Sequence, residues 1–274
     1  MLRAFAILSG LVVSSTAFAQ AELPAPVKFG DGEFTFTRVE DDETAVSYKG
    51  IELYRNYFIS FGGIVKVEEK DVALISGGDG GNACGPAYLI VTLPADEPDP
   101  KVETVGSDCG APEPSVSSDR ILFVPYVQPG KAELIQEWTP SKGLRQNGEI
   151  RFLPQPNTNW ANFDASRADY AAQPFDNKDF YDTALALLGE RLGEVAFGLS
   201  VAGPAEIIDK KYVAYSGCQP HACGAANAFI GVDLEKHAVY AANRISDKPE
   251  EFWPSDFKSW PDELQKAYEK SKAE

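Results

Sequence analysis

Tyr212-Val213-Ala214-Tyr215-Ser216-Gly217-Cys218-Gln219-Pro220-His221-Ala222-Cys223-Gly224, followed by Ala228-Phe229-Ile230-Gly231-Val232, is the stretch on which the fold turns. Two β-prone apolar runs bracket a short segment in which Gly217 and Gly224 permit sharp entry and exit and Pro220 fixes one φ. Downstream, a polar Asp233-Leu234-Glu235-Lys236-His237 turn leads into Ala238-Val239-Tyr240-Ala241, a third strand. Upstream, Asp176-Asn177-Lys178-Asp179 offers capping residues, and Phe180, Ala184, Leu187, Leu188 and Leu192 recur at helical spacing. This predicts an amphipathic helix of three to four turns, weakened at its far end by Gly189 and Gly193, and then an antiparallel meander. A last helix is expected from Pro261 to about Lys272, with Ser259 as a candidate cap and Pro261 in the first turn, where its missing N–H costs nothing.

The first half reads differently. Glu33–Thr37 alternates; Tyr57–Ser60 leads through Gly62-Gly63 into Ile64–Val67; and Val72–Ile75, Ala87–Leu93 and Ile121–Val124 follow, each bounded by Gly, Pro or Asp. The polar, proline-containing Pro154–Asn159 is the natural linker. The chain therefore divides into residues 1–19, a β-rich antiparallel domain at 20–160 and a smaller helix-plus-sheet domain at 161–274. The class is α+β.

Residues 1–19 read as a secretory signal. Arg3 gives a positive start, Ala4–Val13 is an apolar run, and Ala17-Phe18-Ala19 is a small-x-small cleavage site. The run is well short of the roughly 20 residues that span a bilayer, so no membrane anchor is expected. Gln20, not Cys, follows the cut, which argues against a lipid anchor. Cleavage after Ala19 would place the protein in the periplasm. With 25 Lys+Arg against 41 Asp+Glu the net charge is −16, and losing Arg3 makes it one unit more negative. Such a chain repels nucleic acid and attracts basic partners.

An oxidising compartment turns four cysteines into a disulfide framework with three connectivities. Cys84 and Cys109 cluster, as do Cys218 and Cys223, which favours pairing within each cluster. The first pair would close a loop worth roughly 3 kcal/mol of chain entropy and act as a staple. The second encloses Gln219, Pro220, His221 and Ala222 alone, so it shapes that loop more than it stabilises the fold. One of only two histidines sits in it. An imidazole can donate, or donate and accept, and so suits insertion between two carboxyl groups, while a preordered loop enters a cleft at lower entropy cost.

Cys-Gln-Pro-His-Ala-Cys-Gly, between two strands and preceded by a helix, resembles the Cys-Lys-Pro-His-Asp-Cys loop of the inhibitor of vertebrate lysozyme (Ivy) family. The likeness covers about residues 176–245. It implies an Ivy-like α+β fold and a proteinaceous inhibitor of a basic, lysozyme-type glycosidase, without a cofactor. Cys218 and Cys223 would form the clasp, Pro220 the stiffener, and His221 the residue inserted between the two catalytic carboxyl groups. Gln219 replaces a Lys and Ala222 an Asp, which leaves a second expectation: a periplasmic structural or ligand-binding module that keeps the fold without inhibition.

Other constellations carry less. Cys218, His221 and Cys223 offer three metal ligands only, so no metal site is expected. Gly198-Leu199-Ser200-Val201-Ala202 lacks the closing Gly of a nucleophile elbow, and Gly77-Gly78-Asp79-Gly80-Gly81 lacks the Lys-Ser/Thr of a phosphate loop and reads as a flexible turn. The acidic pairs Asp41-Asp42 and Glu68-Glu69 read as solvated faces, and Trp253 and Trp260 as packing for the C-terminal helix. The sequence does not read as an enzyme.

Overall fold

The computed structural model describes residues 23–80, 85–95, 97–106, 110–165 and 173–272. The signal stretch 1–19 and the Cys84–Cys109 pair lie outside the described residues. Just after these two positions the described backbone is in contact, since the Ala111 amide donates to the Pro86 carbonyl at 3.0 Å.

The first half is built of three antiparallel sheets. Strands β1 (Val27–Phe29), β2 (Gly32–Arg38), β3 (Thr44–Tyr48) and β4 (Ile51–Asn56) form one. Strands β5 (Phe58–Val67), β6 (Lys70–Gly78), β7 (Ala87–Thr92) and β8 (Lys101–Val105) form the second. Strands β9 (Pro114–Val116), β10 (Ile121–Phe123), β11 (Ala132–Thr139) and β12 (Gly143–Arg151) form the third. The second sheet is the middle layer. Ala73, Ile75, Leu89 and Val91 face Phe29, Phe34, Phe36, Val46 and Tyr48 of the first sheet. From its other face Val72, Leu74, Ile90 and Val105 meet Ile121, Phe123 and Trp138 of the third. A strand buried on both faces has no polar alternation to show, which is why β6 and β7 read as continuous apolar runs.

One local expectation is corrected, and the exposed Glu68-Glu69 pair has a definite place. Gly77 and Gly78 belong to β6 and pair with the neighbouring strands, not to a free turn. A Cβ at Gly77 would fall 2.5 Å from the Tyr54 ring, so the glycine serves close packing. Glu68-Glu69 is the two-residue turn of the β5–β6 hairpin, both residues at positive φ (46° and 62°). That is the backbone of a type I′ turn, which favours Asn-Gly and penalises residues with a Cβ by about 1–2 kcal/mol each. Replacing the pair with Asn-Gly should therefore stabilise the protein by about 1–2 kcal/mol, read as a raised midpoint of urea unfolding.

The middle and third sheets are locked by Glu103 on β8. Its carboxylate accepts from Trp138 Nε1 at 2.8 Å and from the Leu144 amide at 3.0 Å, with Lys101 Nζ at 3.2 Å. Burial alone would raise its pKa, but these donors together hold it below the ordinary glutamate value. A carboxylate with a depressed folded pKa contributes stability above its unfolded pKa and loses it as pH falls through the folded one. Glu103→Gln should cost about 1.5 kcal/mol near neutral pH. The gap to the parent protein should close as the pH drops through the carboxylate range, measured by urea titrations at successive pH values.

The second half is one six-stranded antiparallel sheet between helices. Helix α1 (Lys178–Leu188) ends where Gly189 turns to φ +54, and a short 3-10 turn leads to α2 (Leu192–Phe197). The single helix expected through Leu192 is thus broken at Gly189. Gly198-Leu199-Ser200 closes α2. The sheet runs β13 (Val201–Ala202), β15 (Tyr212–Cys218), β16 (Ala226–Asp233), β17 (Ala238–Ile245), β18 (Glu251–Trp253), with β14 (Glu206–Ile208) also on β15. Val213, Tyr215, Ala228, Ile230, Val232, Val239 and Ala241 bury one face against Phe180, Ala184, Leu188, Leu192 and Val195. Tyr212, Ala214, Phe229 and Ala242 bury the other against Trp260 and, on α3 (Asp262–Ser271), Leu264, Ala267 and Tyr268. A Cβ at Gly231 would meet Leu264 at 2.9 Å, so glycine lets α3 lie close.

The stretch expected as a linker is fastened to α1. Thr158 Oγ1 accepts from the Lys178 amide at 2.7 Å, the Gln155 amide donates to the Asp176 carbonyl at 2.8 Å, and Asn177 Nδ2 donates to the Asn159 carbonyl at 2.9 Å. Phe152, Trp160 and Phe163 pack on the C-terminal core.

Candidate functional site

Strands β15 and β16 pair continuously to Cys218 opposite Asn227, and the loop between them is closed by the Cys218–Cys223 disulfide, with a Cα–Cα distance of 4.9 Å. Cys218 is buried in the sheet while Cys223 is exposed, so one half of the clasp is anchored and the other stands at the surface. Both sulfurs are bonded to each other, which leaves no thiolate there for a metal. Among the described residues no group of three or more His, Cys, Asp or Glu side chains is placed to hold one.

The loop contains an internal turn. The Ala222 amide donates to the Gln219 carbonyl at 3.0 Å, with Pro220 and His221 between them. His221 has φ +60. Proline at the second position, a left-handed residue at the third and a bond closing the turn define type II geometry, whose third position favours glycine or asparagine. Histidine stands there instead. The turn is held from several sides: the Gln219 amide donates to Ala226 at 2.9 Å, the Ala226 amide to Ala222 at 2.7 Å and the Ser246 amide to Ala225 at 2.7 Å. His221 is exposed, and Gln219, Pro220 and Ala222 are half-buried. The imidazole makes no hydrogen bond among the described residues, so it is presented to solvent on a rigid base.

The local charge is distinct from that of the molecule. In a chain of net charge −16, residues 216–229 contain no Asp, Glu, Lys or Arg. His221 is the sole titratable side chain outside the disulfide in that stretch. A neutral or protonated protrusion can approach a pair of carboxyl groups without like-charge repulsion.

The other sequence candidates stand apart from this loop. His237, in the turn between β16 and β17, stacks on Trp160 at 5.0 Å. Trp260 is buried against α3, as expected, and Trp253 packs partly on the opposite core. Arg244 and Asn227 were not singled out by sequence. Their placement in line with Cys218 follows from the registers of β15, β16 and β17, which no local motif announces.

Comparison with known proteins agrees with the geometry. Residues 179–274 match the family model for the inhibitor of vertebrate lysozyme (Ivy). The C-terminal part is Ivy-like. Its match begins on α1 and takes in the His221 loop, the meander and α3, so the resemblance reaches beyond residues 176–245 to the end of the chain. The preceding part, residues 30–151, matches the Y4bG N-terminal domain. A relative from Sinorhizobium fredii, described as "Uncharacterized protein y4bG", is 26% identical over 242 residues, covering 86% of this chain and 88% of its own. No solved structure matches. The chain thus joins an Ivy-like part to a Y4bG N-terminal part. Among the described residues no helix is long and apolar enough to cross a membrane.

Proposed function

We propose that this is a periplasmic inhibitor of a basic, lysozyme-type glycosidase, cut after Ala19 on export, that inserts the Cys218–Cys223 loop into the enzyme's active-site cleft. His221 would sit between the two catalytic carboxyl groups, donating to one and sharing a hydrogen bond with the other. Gln219 and Ala222 would line the cleft wall, and Pro220 would hold the turn. The single observation that carries this reading is the exposed His221 at the left-handed position of a disulfide-closed turn, within the Ivy-like part. The acidic chain adds long-range attraction to a basic enzyme, which raises the association rate more than the affinity. In this reading the division falls near residue 160, and residues 20–160 form a separate β-rich domain.

The test is a peptidoglycan lysis assay with the mature protein and several basic animal-type lysozymes. Saturable inhibition that reaches its plateau near equimolar protein supports the proposal. Association that slows as salt rises supports the electrostatic part. Gln219 and Ala222, where the family loop carries Lys and Asp, favour one other reading: a structural or ligand-binding module on the same fold. Absence of inhibition at micromolar protein across the lysozymes, with the disulfide intact, would select it.

A further inference from the structure

Cys218, Asn227 and Arg244 are register partners on three adjacent strands, so their side chains rise in a row from one face of the sheet. The C-terminal turn of α3 borders that row. Between them, at the base of the disulfide loop, opens a cleft of about 590 Å³ lined among others by Ser216, Asn227, Arg244, Tyr268 and Lys272. That volume lies in the range of small-molecule sites.

Two of its polar groups are incomplete. The side-chain carbonyl oxygen of Asn227 is buried without a donor. Arg244 is half-buried and makes no hydrogen bond or ion pair among the described residues. The other described arginines, Arg38, Arg55, Arg120, Arg145, Arg151 and Arg191, are all engaged. In a chain with 41 acidic residues against 25 basic ones, a guanidinium that the fold leaves without a direct carboxylate partner is open to an anion from solution. Lys272 is already held by Glu269 at 2.8 Å and Glu250 at 3.9 Å. Lys272 is thus taken up by carboxylates, and Arg244 is the cation of the cleft that has no direct ion pair among the described residues.

We infer that this cleft binds a small monocarboxylate bearing hydroxyl groups, a sugar acid in class, with its carboxylate on the Arg244 guanidinium. The planar fork of an arginine matches a carboxylate bidentately. Ser216 and the Asn227 amide supply partners for hydroxyls, and the Tyr268 ring gives an apolar wall. One unpaired guanidinium, with Glu250 and Glu269 close by, suits one negative charge and disfavours a phosphate dianion. The site stands independently of the lysozyme reading, although its ligand would touch Cys218, Cys223 and Gly224 at the root of the loop.

The experiment is an NMR titration of the mature, disulfide-intact protein with D-glucuronate, D-glucose and inorganic phosphate. Glucuronate should give saturable amide shifts centred on Ser216, Asn227, Phe229 and Arg244, with glucose and phosphate giving none. Arg244→Gln should weaken glucuronate at least about tenfold, the loss expected for a charge-assisted pair. If that variant does not fold, Arg244→Lys tests the same point, because it keeps the charge and loses the fork. No saturable shift with glucuronate, an equal response to glucose or phosphate, or unchanged binding by the folded Arg244 variant would overturn the inference.

Discussion

Phe180→Ala should destabilise the Ivy-like part by about 3–5 kcal/mol, the range for deleting a fully buried aromatic ring. The side chain is 0% exposed and sits in the first turn of α1, where its amide donates to Asn177 Oδ1 at 3.1 Å. Its ring lies 5.3 Å from Phe175, 5.5 Å from Phe163 and 6.0 Å from Trp160. Those rings are fixed by their own backbones, Phe175 in the 3-10 turn before α1, Trp160 in the capped turn 160–162 and Phe163 just after it. They cannot all collapse into the vacated space, so a cavity should persist and add to the lost transfer energy. Thermal and urea unfolding should show the loss. Tyr126→Ala, at a 76% exposed tyrosine, should stay within about 0.5 kcal/mol of the parent. The His221 loop lies at the far end of the meander from the β16–β17 turn that Trp160 stacks on. The folded fraction of Phe180→Ala should therefore match the parent in the lysis assay.

Opening the clasp should do the reverse. The Cys218→Ser, Cys223→Ser double variant should lower inhibition roughly ten- to hundredfold, about 1.4–2.8 kcal/mol. Stability should fall by no more than roughly 2 kcal/mol, the chain-entropy value for so short a loop. The asymmetry follows from what the bond constrains. Cys218 is already buried and paired opposite Asn227, whereas Cys223, Gly224 and Ala225 are exposed. Without the bond, the outer half of the loop would have to be ordered on binding, at roughly 1–2 kcal/mol per residue fixed. Paired measurements of inhibition and urea unfolding separate the two effects. Undiminished inhibition by the double variant would show that the clasp has no part in inhibition.

Much of the fold was legible because burial left a pattern in the sequence. Val72–Ile75 and Ala87–Thr92 announced themselves as apolar runs because their sheet is covered on both faces. Strands β1, β3, β4, β8, β9, β11, β12, β13, β14 and β18 carry no such run and escape a reading of the sequence. Strand β12, Gly143–Arg151, is largely exposed and carries Arg145, Gln146, Asn147 and Glu149, so nothing apolar marks its period. The buried Glu137 on β11 is sustained by Arg145 and Arg120 at 2.8 and 3.3 Å, a pairing that only the third sheet's register creates. The loop was legible for a different reason: two cysteines five positions apart allow little besides a clasp. Its type II turn was not, because His221 occupies a position where glycine or asparagine would have signalled it. The row from Cys218 to Arg244 was hidden because it joins residues 26 positions apart through two hairpin registers.

In the proposed function His221 itself, and not merely the shape of the loop, engages the target. The most direct measurement compares the parent protein with His221→Asn in titrations of lysozyme-catalysed peptidoglycan lysis. Asparagine tolerates the left-handed backbone of the turn, so the loop keeps its form while the imidazole is lost. The parent should inhibit potently and saturably and the variant about tenfold or more less well, with unfolding midpoints alike. Equal inhibition by the two proteins, or none by the parent, would contradict that role for His221.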